Sequence, residues 1–175
     1  MQENVVLVDP EDRPLGEMEK MEAHRRGVLH RAFSVFVFNR NGELLLQRRA
    51  LDKYHSRGLW SNTCCSHPRP GETVEEAAVR RLREEMGMRC ELEKSFTFVY
   101  RSTLDRGLIE HEYDHVLVGW CDTQPKINPH EVAEWRYASP AVIRQELIEN
   151  AGDYTSWFRI CFERAAHSAH NWPTS

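Results

Sequence analysis

Four short stretches of this chain bring together side chains that can do chemistry. Cys64-Cys65-Ser66-His67 sets a thiol and an imidazole two residues apart, and Glu110, Glu112 and Asp114 alternate between positions 110 and 114. Arg81 and Glu85 lie four apart in the run Thr73 to Gly87, while His24 and His30 stand on either side of Gly27. Side chains of an extended segment repeat with period two, so Glu110, Glu112 and Asp114 share a face and so do Cys65 and His67. Cys64 then points the other way and is read as a small packed hydrophobe. Three like charges on one face repel, and a divalent cation converts that repulsion into coordination. His24, His30 and His67 with two glutamates make a borderline-metal set. The candidate ligands are spread over about 90 residues, however, and each histidine alone is more often structural than a ligand.

At about 100° per residue, with Val74 placed at zero, the apolar stripe of Val74, Ala77, Ala78, Leu82 and Met86 includes Arg81 and Glu85 but leaves out Arg80, Arg83 and Glu84. An i,i+4 ion pair on the stripe's edge explains this, and so does a polar pocket lined by the helix; inward charges need partners, which favours the pocket. Residues 20–57 carry nine basic side chains, Lys20, Arg25, Arg26, Arg31, Arg40, Arg48, Arg49, Lys53 and Arg57, against Glu22, Glu43 and Asp52. Such a block is either a solvated basic surface or a site for a small anion.

These groups need elements to hold them. Asn4 to Val8 reads as a strand ended by Asp9-Pro10. Arg31 to Asn39 and Glu43 to Ala50 read as central strands joined in a hairpin through Asn39-Arg40-Asn41-Gly42. Trp60 to His67 reads as a short strand entering a loop. Thr73-Val74-Glu75-Glu76 is a capping box opening a helix that Gly87 closes. Phe96 to Arg101 and Glu112 to Cys121 read as strands separated by the turn Asp105-Arg106-Gly107, with a further short strand at Glu134 to Tyr137. A helix follows from Ser139-Pro140 to about Ile148, and a last amphipathic one runs from Tyr154 to His167, with Trp157, Ile160, Cys161 and Arg164 in register.

The chain has 175 residues, of which 41% are hydrophobic, enough for one core and one domain over residues 1–175. A net charge of −4 supplies no global cationic field for nucleic acid. No apolar stretch approaches the roughly 20 residues of a membrane span, and no signal-peptide pattern opens the chain. Five scattered cysteines do not form a secreted disulfide framework. A cytoplasmic protein is expected, as a monomer or weak dimer, without nucleic-acid or membrane partners.

GETVEEAAVRRLREEMGM, with Gly71-Glu72, Arg80, Glu84-Glu85 and Gly87, resembles the Nudix box, the helix that binds metal-diphosphate substrates in that superfamily. Two positions depart from it: Ser66 stands for the first glycine, and Arg81 stands where a metal-binding glutamate is expected. Asn62-Thr63-Cys64-Cys65-Ser66-His67-Pro68 resembles the catalytic-cysteine motif of one branch, the type 1 isopentenyl-diphosphate isomerases. So do Leu15 to His30, Arg48-Arg49-Ala50, the Glu110-His111-Glu112 triplet and Trp157, and the likeness spans roughly residues 5–165.

The resemblance implies an α+β fold, an α/β/α sandwich in which a mixed β-sheet is flanked by helices. It implies metal ligands at His24, His30, His67, Glu110 and Glu112, with Mn²⁺ or Zn²⁺ suited to that set. A second site for Mg²⁺ is implied at Glu85 and the Cys65 carbonyl, bridging to a substrate diphosphate held by Lys20, Arg49, Lys53 and Arg81. The implied reaction converts isopentenyl to dimethylallyl diphosphate by protonating one carbon and deprotonating another, through a carbocation. Cys65 and Glu112 would be the acid-base pair, Glu112 working through the Tyr100 phenol, and the Trp157 indole would face the cation. Cys65, on a loop near a cation, is expected to have a lowered pKa. The alternative is a Nudix hydrolase of a diphosphate, which Arg81 disfavours, and a third is a metal-stabilised binding module.

Overall fold

Nine strands and four α-helices follow one another along residues 2–170, the part of the chain that this computed structural model describes. They are β1 (Asn4–Val8), β2 (Pro14–Glu19), α1 (Lys20–Arg26), β3 (His30–Phe38), β4 (Leu44–Arg49), β5 (Trp60–Ser61), β6 (Cys64–Ser66), α2 (Val74–Met86), β7 (Leu92–Thr103), β8 (Ile109–Trp120), β9 (Val132–Ala138), α3 (Pro140–Asn150) and α4 (Ser156–His170). All nine strands belong to one mixed sheet, and β3 is its hub. Along one side β3 runs parallel to β8, from His30↔Glu112 to Phe38↔Trp120. Along the other it meets β1, β6 and β4 in succession, each antiparallel.

The period of two sorts the apolar side chains onto two faces. Phe36, Phe38, Leu44, Leu46, Val116 and Val118 pack with Ile143 of α3 and Phe158, Cys161 and Phe162 of α4. Phe33, Val35, Val37, Leu45 and Leu117 pack with Val74, Ala77, Ala78, Leu82 and Met86 of α2. Each fully buried Val, Leu, Ile, Phe or Met among them contributes about 1.5–3 kcal/mol. The result is the expected sandwich of helices on both faces of a sheet.

The capping box is present: Thr73 Oγ1 accepts from Glu76 N and the Glu76 carboxylate accepts from Thr73 N. Gly87 ends α2 at φ +63, where a Cβ would lie 2.4 Å from the Lys126 carbonyl oxygen. That close approach lets the chain after β8 return along the helix, with Lys126 N donating to Met86 O and Asn128 N to Glu85 O.

Two expectations are corrected. The strands at 31–39 and 43–50 form a hairpin only at its tip, where Phe38 pairs with Leu44. Beyond it they part around residues 60–66: Thr63 Oγ1 accepts from Val37 N and donates to Leu45 O, so one hydroxyl bridges the split. Ile160 is 53% exposed, because α4 presents Trp157, Phe158, Cys161 and Phe162 to the sheet and turns Ile160 away. β2 and α1 are elements that periodicity did not announce: β2 is largely exposed and α1 has only seven residues.

Candidate active site

The even-numbered face of β3 and β8 is where the chemistry gathers. Register sets Glu112 beside His30, Tyr100 beside Glu112, and Cys65 beside Ser34, so these side chains emerge on the α4 side of the sheet. The parity expectations hold. Cys64 is buried with the α2 face, and Glu110, Glu112 and Asp114 share a buried face. Asp114 nevertheless stands apart, since its Oδ2 accepts from Ser34 Oγ at 2.8 Å, and burial among carboxylates pushes its pKa well up.

α1 begins with the Glu19 side chain accepting from Met21 N and Glu22 N, and ends at Gly27 in the left-handed region, where Ile109 packs close. This short helix delivers His24. Its Nδ1 lies 2.7 Å from the Lys20 carbonyl, and His30 Nδ1 lies 2.8 Å from the Val28 carbonyl. A carbonyl only accepts, so both Nδ1 atoms carry the proton and both Nε2 atoms present lone pairs. His24, His30, His67 and Glu112 bring four ligand atoms within 4.8 Å of one another, and His24, His55 and Glu110 form a second such group. The Nε2 atoms of His24, His30 and His55 are buried without a hydrogen bond, which costs about 1–3 kcal/mol for each unsatisfied group. Unpartnered nitrogen lone pairs facing two buried carboxylates fit a divalent cation. All five expected ligands therefore meet, and His55 joins them.

Burial, with His67 nearby, holds His24 down to about 3, and burial lowers His67 as well. Burial opposes protonation of His30, but the Glu112 carboxylate overrides it and raises that pKa. Glu112 is held well below the usual carboxylate range: burial works against it, and the imidazoles of His30 and His67 prevail. The Tyr100 hydroxyl lies 2.8 Å from both Glu110 Oε2 and Glu112 Oε2. Burial and these carboxylates raise its pKa far enough to keep it a neutral donor.

Cys65 is corrected in two respects. It lies on β6 rather than a loop, and burial raises its pKa, with the charge of Arg49 opposing only in part. It is therefore a thiol rather than a thiolate. Trp157 lines the same pocket, its Nε1 donating to Asn62 Oδ1 at 3.2 Å and its ring centroid 5.4 Å from the Arg49 guanidinium carbon.

Lys20, Arg49, Lys53, Arg81 and Glu85 all line this pocket. Arg81 and Glu85 make the i,i+4 pair at 2.7 Å and also face inward, so both readings of the stripe hold. Three of the four cations are occupied by carboxylates: Lys20 by Glu3 at 2.6 Å, Lys53 by Glu131, and Arg81 by Glu85 and, at 3.3 Å, by Glu131. Of the nine basic residues at 20–57, Lys20, Arg49 and Lys53 line the pocket. Arg40 and Arg48 instead pair with Asp122 and Glu134, as a solvated surface would, and Arg31 makes a half-buried pair with Asp12. Glu3, Glu131 and His55 sit outside the periodic segments, and the only pointer to His55 in the sequence is its place two residues after Lys53.

A family model described as NUDIX domain matches residues 28–158. A protein named isopentenyl-diphosphate Delta-isomerase from Pectobacterium atrosepticum is 56% identical over 160 residues, 91% of this chain and 89% of that protein. One of the same name from Burkholderia multivorans is 49% identical over 173 residues, 98% of each. Among solved structures, a Deinococcus radiodurans protein superposes with a TM-score of 0.71 at 20% identity, covering 85% of this chain and 90% of that one. A MutT protein from Methanosarcina mazei gives 0.66 at 20% identity, covering 82% and 96%. These two likenesses concern the fold alone.

Proposed function

The chain belongs to the isopentenyl-diphosphate Delta-isomerases, built on the NUDIX domain, and from that premise we propose how its pocket performs the reaction. The enzyme isomerises isopentenyl diphosphate to dimethylallyl diphosphate. An unactivated alkene is a poor base, and its protonation makes a tertiary carbocation, so the pocket must supply an acid, a base elsewhere on the skeleton, and exclusion of water. Cys65 and Glu112 are that pair. β6 and β8 flank β3 on opposite sides, which supports a donor and an acceptor reaching the substrate from different directions. In the resting protein Cys65 holds a proton and Glu112 does not. Cys65 therefore donates, while the Tyr100 oxygen takes the allylic proton as its own proton passes to Glu112. The roles reverse in the other direction. The Trp157 indole faces the carbocation, worth about 2 kcal/mol when desolvated.

The buried histidines and glutamates would hold a borderline divalent ion, Mn²⁺ or Zn²⁺, and Glu85 with the Cys65 carbonyl would hold Mg²⁺ with the diphosphate. Bound there, such ions supply positive charge that fixes carboxylates and neutralises phosphate. Lys20, Arg49, Lys53 and Arg81 bind the diphosphate, which replaces the Glu3 and Glu131 carboxylates on Lys20 and Lys53. The polypeptide acts as a single domain in the cytoplasm, as a monomer or weak dimer. Its five free cysteines suit a reducing compartment, and among the described residues no helix is long and apolar enough to cross a membrane.

The observation that carries this reading over diphosphate hydrolysis is Arg81. A guanidinium paired with Glu85 and Glu131 occupies the place of a carboxylate on the diphosphate-binding helix. Arg81→Glu is expected to raise KM by about 10- to 100-fold, the loss of a charge-assisted contact, without gain of hydrolysis. Steady-state kinetics with a coupled phosphate assay tests this. Rapid phosphate release by either protein, with no dimethylallyl product, contradicts it.

A further inference from the structure

We propose that His55 is a sixth protein ligand of the buried centre, completing a shell of four imidazoles and two carboxylates around one ion. The inference rests on the reading that this centre holds a divalent cation. His55 lies in the loop after Lys53 and is 1% exposed. Its Nε2 is 3.1 Å from Glu110 Oε1 yet makes no hydrogen bond, so a buried donor atom is left without a partner.

His24 decides how many ions there are. Its proton is committed to the Lys20 carbonyl through Nδ1, which leaves one lone pair, on Nε2. One lone pair serves one ion. Yet His24 belongs both to the group with His30, His67 and Glu112 and to the group with His55 and Glu110. The two groups therefore close on a single ion, drawn together through His24.

The spacing has a simple pattern, because each carboxylate stands between two imidazoles. Glu112 Oε1 is 3.0 Å from His67 Nε2 and 3.5 Å from His30 Nε2. Glu110 Oε1 is 3.1 Å from His55 Nε2 and 4.0 Å from His24 Nε2. Adjacent donors in an octahedral shell with bonds of about 2.1 Å are about 3.0 Å apart. Ligating imidazoles usually donate their other N–H to an outer partner. His24 and His30 do so to backbone carbonyls, and His55 Nδ1 lies 3.1 Å from Ser56 Oγ. Asp105 Oδ1 in turn accepts from Ser56 N at 2.9 Å and fixes that hydroxyl's residue. Six protein donors leave no open position, so the shell favours ions that accept six ligands, such as Mn²⁺ or Co²⁺, over tetrahedral Zn²⁺.

The test strips the intact protein, His55→Ala and His55→Gln by chelation, reloads each with one equivalent of Co²⁺, and counts imidazole ligands by X-ray absorption. Circular dichroism of the stripped forms checks folding. Four imidazoles in the intact protein and three in both variants are expected, with a stronger visible d–d band in the variants and Mn²⁺ affinity weakened by about 10- to 100-fold. Three imidazoles in all three proteins, with unchanged spectra, would overturn His55 as a ligand even if affinity falls, leaving it only to orient Glu110. Failure of the intact protein to take up any ion would instead overturn the buried centre itself, and His55's place with it.

Discussion

Cys65→Ala is expected to lower kcat by about 10³-fold or more, near the upper range for loss of a positioned acid or base, while the protein stays folded. The side chain projects from β6 into the pocket rather than into either hydrophobic cluster, so little core packing is lost. Cys64 is the internal control. It is fully buried against the α2 face, and Cys64→Ala should cost about 1–2 kcal/mol of stability with kcat within about threefold of the parent. Thermal melts and turnover of the two variants form a crossed pattern. Turnover lost at 64 and kept at 65 would reverse the assignment of faces along β6 and with it the acid.

Glu112→Gln is expected to have a comparable effect for a different reason. The substitution keeps the shape but removes the charge that accepts from Tyr100, faces His30 and His67, and belongs to the four-donor group. kcat should fall by about 10³-fold or more, and the protein should purify with much less tightly held metal. Tyr100→Phe separates the two roles. It deletes only the hydroxyl between Glu110 and Glu112, so metal content should be unchanged while kcat falls by about 10- to 100-fold. A Tyr100→Phe enzyme as fast as the parent would mean that Glu112 works without the phenol.

The parts of this site legible in the sequence were those on regular elements. Period two alone separates Cys65 from Cys64 and aligns Glu110 with Glu112, and a period near 3.6 turns Arg81 and Glu85 inward. The same periods place the two hydrophobic faces of the sheet. What joins His30 to Glu112 is the parallel register of β3 and β8, and what brings His24 to Glu110 is the seating of α1 beside β8, long-range placements that local pattern does not contain. His55, Glu3 and Glu131 lie outside any such repeat: His55 sits in the turn after Ala50, Glu131 on the stretch after β8 that returns past α2 to Ala50, and Glu3 beside Lys20, whose backbone N donates to Glu3 O. The expected thiolate at Cys65 failed because nearby cations are visible in a sequence but burial is not, and burial dominates there. Asp114 has the right face and the wrong depth: sharing a face with Glu112 leads it to Ser34 rather than to the histidines.

The most direct test of the account follows the metal-loaded protein with isopentenyl diphosphate and Mg²⁺ in deuterated water by proton and phosphorus NMR. Dimethylallyl diphosphate should appear with deuterium in a methyl group, the diphosphate staying intact throughout. Liberated phosphate without the isomer, or a folded and metal-loaded protein that leaves isopentenyl diphosphate unchanged, would contradict it.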